Sequence, residues 1–147
     1  MVNRQKRVVA KGMVEGFAAG TVSSREMDGD FPSDKDDRAL AGIWEHLWPF
    51  WDDLRNHTLT GKDSPTPEMR AMMDRCIAFL ESDLEYEWPP YRWASLKLIL
   101  LRALRLRKKA AEVEKRETEE LAKFGDLEVW PFVRKEDWER AVGSGSG

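Results

Sequence analysis

The chain has one cysteine, two histidines and no apolar run near the roughly 20 residues that a membrane-spanning helix needs. Each scarcity excludes something. A lone Cys76 cannot close an internal disulfide, which fits a reducing compartment. The N-terminal MVNRQKRVVAKG is basic, but no apolar segment follows it, so a secretory signal is not expected. Gly-x-Ser-x-Gly, a dinucleotide fingerprint and a phosphate-binding loop are all missing, and the short LTGK lacks the upstream glycine of a Walker motif. A net charge of −3 over 147 residues gives no global attraction to nucleic acid, so any such role needs a local basic patch. The expectation is a soluble, cytoplasmic, single-domain protein with no cofactor.

What the chain does have is aromatic weight. Seven Trp and six Phe supply large burial, and 41% apolar with 35% charged residues describes helices that carry many solvated charges. Hydrophobic spacing predicts an all-α fold: about four helices in a compact bundle, one of them long, with a short extended and helical appendage at the C-terminus. One domain is expected over 1–142, with residues 1–32 a weak helix or mobile arm and the final GSGSG at 143–147 a linker.

The first helix spans about Arg4 to Ala19, with Val9, Met13 and Phe17 on one face and with Gly12, Gly16 and Gly20 weakening it. SSREMDGDFPS reads as loop, and Ser33 as the N-cap of a second helix with acids in its first turn. Leu40, Ile43, Trp44, Leu47, Trp51 and Leu54 then form one stripe, kinked at Pro49. After the loop HTLTGKDSPTP a third helix starts at Ser64-Pro65 or Thr66-Pro67 and runs to about Glu81, burying Met69, Met72, Met73, Cys76, Phe79 and Leu80. Pro89-Pro90 breaks the chain. A long helix from about Tyr91 to Phe124 follows, ended by Gly125, and then a tail with a turn at Pro131 and a short helix containing Trp138.

Trp-Pro occurs three times, at Trp48-Pro49, Trp88-Pro89 and Trp130-Pro131, with no common period. These steps read as buried Trp beside chain breaks. The step nearest the terminus, Trp130-Pro131-Phe132, is the one expected to be exposed.

Chemistry is sparse. Asp53 and His57, at i and i+4, form the weak alternative of a metal site, but His46 lies roughly 10 Å from Asp53 along a helix and cannot join it, so no metal is expected. ESDLEYE puts carboxylates at 81, 83, 85 and 87, either a solvated segment, one facing a basic partner, or an oxygen-rich cation site. The main charge feature is Arg92 to Lys109, with seven bases and no acid. On the long helix Arg102, Arg105, Lys108 and Lys109 share a face opposite Leu96, Ile99, Leu100, Ala103 and Leu104, while Arg107 points into the apolar arc. Glu112, Glu114, Glu117, Glu119 and Glu120 follow, so the helix is basic and then acidic. The basic face could meet an acidic protein, meet phosphates, or be satisfied internally by the acids at 81–87.

A Trp-rich Asp-Asp-Leu-Arg helix, the loop HTLTGK and the segment RCIAFLESDLEYEWP occur in that order over about residues 48–89. This stretch resembles small uncharacterised bacterial proteins. The resemblance implies a bacterial origin and no mechanism.

These features lead to an expected function: a non-enzymatic protein–protein interaction module, of inhibitor, immunity-type or accessory-subunit kind. The contacts would be Arg102, Arg105, Lys108 and Lys109 with a second contact at Trp130 and Phe132. Nucleic-acid binding by the same face is the first alternative, and a metal-dependent hydrolase the second. A homodimer is possible, and no membrane partner is expected.

Overall fold

The computed structural model describes residues 1–47, 56–89 and 104–144. Within them the protein is all-α, with six helices and no strand: α1 (Arg4–Ala18), α2 (Ser24–Asp30), α3 (Arg38–Leu47), α4 (Pro67–Glu81), α5 (Arg107–Phe124) and α6 (Lys135–Ser144). Short 3-10 turns at Gly61–Asp63 and Leu127–Val129 join them. No described helix is long and apolar enough to cross a membrane.

α1 is held firmly. Asn3 caps it by accepting the Lys6 N–H at 3.1 Å, and Gly20, at a φ of 81°, turns the chain away after its last turn. Arg7, Ala10, Val14 and Phe17 face α4, which is α1's main packing partner. The sequence expectation placed Val9 on this face; Val9 is exposed and the stripe is shifted. The physical reason is Arg7. A periodicity argument counts arginine as polar, but this guanidinium is fully buried and neutralised.

Asp37, just before α3, is its partner. Arg7 donates to both carboxylate oxygens, at 2.7 and 2.8 Å, and its third contact is the Ser82 carbonyl at 3.0 Å after α4. Asp37 also accepts the backbone N–H of Asn3 at 2.9 Å and of Ala39 at 3.3 Å. One ion pair therefore ties together the starts of α1 and α3 and the end of α4. Arg7 also stacks over Phe79, with 5.4 Å to the ring centre.

Three sequence expectations about elements change. Residues 24–30 are not loop: Ser23 and Glu26 close a reciprocal capping box, and Met27 is buried beneath it. Ser33 does not cap α3. Asp34 instead holds the turn by accepting the backbone N–H of Asp36 and Asp37 at 2.8 and 3.2 Å, and the helix starts at Arg38. The long helix expected from Tyr91 to Phe124 is broken, because Leu104 and Arg105 form a turn, Arg105 has a φ of 58°, and α5 begins only at Arg107. A left-handed residue cannot continue an α-helix. That break contains neither Gly nor Pro, so no residue type there announces it.

α4 has its expected bounds. Thr66 caps it by accepting the Met69 N–H at 3.2 Å, Pro67 opens it, and Met73, Cys76, Phe79 and Leu80 are buried, while Met69 and Met72, expected with them, are only half-buried. The kink at Pro49, Trp51, Leu54 and the central segment Leu96–Ala103 lie outside the described residues.

The remaining core joins the middle of the chain to its tail. Tyr86 lies flat against α3 at Gly42, where a side chain would collide with its ring and hydroxyl. Trp88 donates its indole N–H to the Pro131 carbonyl at 3.0 Å, and Trp130 donates its own to the Tyr86 hydroxyl at 3.1 Å. Arg75 fastens the Trp130 carbonyl at 2.9 Å, and Phe132 packs edge-on against Phe79. The second and third Trp-Pro steps thus interlock.

Candidate interaction surface

Sequence reasoning singled out six contact residues, and the structure separates them. Trp130 and Phe132 are 5% and 1% exposed, so the tail expected to be an exposed aromatic contact is instead part of the core. The reason is the pairing just described: each indole N–H has a buried acceptor, and the rings fill the space beside Phe79 and Tyr86. Arg102 lies outside the described residues. Arg105, Lys108 and Lys109 are exposed, and Arg107, expected in the apolar arc, is exposed with them.

Arg105 stands in the turn before α5, while Lys108 and Lys109 stand in its first turn. Cations at a helix N-terminus oppose its dipole, so this placement costs a little stability and is not there to strengthen the helix. Leu104 and Leu106, 60% and 40% exposed, alternate with the charges. The result is a basic segment with an apolar admixture.

Among the described residues, the acids at 81–87 do not neutralise the basic segment. Lys11 on α1 pairs with Glu81, Arg4 pairs with Asp83, the Met1 amine lies 3.2 Å from Glu85, and Arg134 lies 3.5 Å from Glu87. These acids face the basic side of α1 and the start of α6. The hydrogen bond that Lys11 donates to Glu81 also raises the Lys11 pKa above its ordinary value. Among the described residues, Arg105, Arg107, Lys108 and Lys109 have no carboxylate within ion-pair distance.

The other candidates reduce to structure. Cys76 is fully buried, and desolvation pushes its thiol far above the usual range, which keeps it protonated and unreactive. His46 stacks on Trp130 with centroids 4.2 Å apart and donates from Nδ1 to the Gly42 carbonyl at 2.8 Å; burial lowers its pKa. Its partner in the sequence argument, Asp53, is outside the described residues, and His57 is half-buried with its backbone bonded to Ser24. Among the described residues no group of three or more His, Cys, Asp or Glu side chains could hold a metal ion.

An open cleft of about 630 Å³ lies between the Lys6–Asp36 corner and α3, floored by Gly42, His46 and Tyr86. Its wall carries both signs of charge. Lys6 is already bonded to Asp34 and to the Ser33 carbonyl, and Arg38 to the Trp88 carbonyl. Lys6 and Arg38 on the cleft wall are thus engaged, whereas among the described residues no carboxylate pairs with the 105–109 segment.

No protein-family model, curated protein or solved structure matches the chain.

Proposed function

We propose that this chain is a compact helical domain that works without catalysis, by docking another protein on its basic segment at Arg105, Lys108 and Lys109. The partner presents an acidic surface, and the role is that of a bacterial inhibitor, immunity-type protein or accessory subunit. One observation carries the reading: four exposed cations stand together beside two exposed leucines, while every acid of the 81–87 run is engaged elsewhere in the molecule. Trp130 and Phe132 lie in the core and do not touch the partner.

Nucleic acid is the second reading, and α5 itself weighs against it. Glu112, Glu119 and Glu120 are exposed farther along the same helix and would repel a phosphate strand following it.

The test is affinity purification of the tagged protein from its native host, with and without nuclease, beside an Arg105→Glu/Lys108→Glu/Lys109→Glu variant. A stoichiometric protein that survives nuclease and is lost from the variant is the expected result. If everything retained disappears with nuclease, and affinity falls with salt at a slope of roughly −0.9 per neutralised phosphate, the surface is a nucleic-acid site instead.

A further inference from the structure

α5 carries its own complement. Lys108 and Glu120 lie equally far on either side of Glu114, as do Lys109 and Glu119, and Glu112 and Arg116. All six side chains are exposed. The six share one arc of the helix, so in two antiparallel helices centred on residue 114 the basic end of each arc meets the acidic end of the other.

We propose that the acidic surface docked by the basic segment is the far half of α5 in a second copy of this chain, giving an antiparallel two-fold dimer. This rests on the interaction reading above and names its partner. Two-fold symmetry makes the interface self-complementary, so every ion pair occurs twice. The helix is long enough for it, since 18 residues span about 27 Å. α5 is also available: of its residues only Ala110 is buried, and no described helix packs extensively along it. One like-charge pair, Arg105 against Lys123, falls at the margin, where Arg105 stands in the turn outside the helix. An interface made mostly of exposed ion pairs is salt-sensitive, because the screening length shrinks from about 10 Å at 0.1 M to about 3 Å at 1 M.

Sedimentation velocity on the full chain, over a concentration series at low and high salt, tests the proposal. The wild type is expected to dimerise at low salt and dissociate at high salt. Lys108→Glu/Lys109→Glu and Glu119→Lys/Glu120→Lys, each with unchanged circular dichroism, should each weaken the dimer by roughly tenfold or more. Mixed in equal amounts, the two variants should dimerise again, because each then faces opposite charge. A monomeric wild type, variants as dimeric as wild type, or a mixture that stays monomeric would overturn the dimer. A labelled glutamate-rich helical peptide separates the two levels of the argument. If the chain does not self-associate but the peptide binds wild type and not Lys108→Glu/Lys109→Glu, the dimer is wrong and the interaction reading stands. If neither self-association nor peptide binding occurs, both fall.

Discussion

Two residues, Arg7 and Asp37, decide how the N-terminal half responds to acid. Burial by itself would raise the Asp37 pKa, but the Arg7 guanidinium and the Asn3 and Ala39 N–H groups outweigh it and hold the carboxyl below its ordinary value. Asp34 is held low by the Asp36 backbone N–H and by Asn3 and Lys6. A carboxylate with a lowered folded-state pKa contributes stability that is complete above the unfolded value of about 3.9 and is lost as pH falls through the folded value. The melting temperature should therefore fall steeply below about pH 4, and Asp37→Asn should flatten that slope. At neutral pH the same variant leaves the buried Arg7 charge uncompensated and should cost about 3–5 kcal/mol, measured by urea unfolding. Wild-type stability and slope in Asp37→Asn would remove the pair from this role. At Gly42 the argument is steric: Gly42→Ala pushes a methyl into the Tyr86 ring and should cost about 1–3 kcal/mol, whereas Gly12→Ala, with nothing nearby, should be neutral or stabilising.

At the scale of elements, the interlocked Trp steps make the tail structural. Trp88→Phe keeps most of the apolar volume but strands the Pro131 carbonyl, and about 1–3 kcal/mol of destabilisation is expected. Equal stability of Trp88→Phe and wild type in chemical denaturation would mean that packing alone holds the tail. The elements also differ in how far residue types announce them. α4 was readable because Thr66-Pro67 is a local start signal and its buried face is made of apolar residues. α2 carried the Ser-x-x-Glu box but was too short for periodicity to be seen. The Arg7–Asp37 link joins residues 30 positions apart, and no local pattern relates them. The positions of the basic side chains were legible, but their neighbours were not. The burial of Trp130 and Phe132 comes from tertiary contacts, which hide an aromatic without changing a nearby residue type.

Across the described residues, charge is sorted rather than scattered. The basic side of α1 and Arg134 engage the acids of 81–87, and among the described residues no carboxylate matches the bases of 105–109 at the start of α5. Neutralising the run with Glu85→Gln/Glu87→Gln should then leave association through the 105–109 segment unchanged to within about twofold, since these are surface pairs of small energy. A marked gain in affinity would show that the acids compete for the segment after all; isothermal titration or sedimentation would detect it.

The link from Trp88 to Pro131 also imposes an order on synthesis. The chain emerges from the ribosome N-terminus first, and α1 can meet α4 once residues near 81 are free. Trp88 then has to wait, its indole unpartnered and its aromatic neighbours uncovered, until more than forty further residues have been added and Pro131 is clear of the exit tunnel. A nascent chain arrested before that point carries an open aromatic face, and one released early, by a stop codon within α5, keeps it permanently.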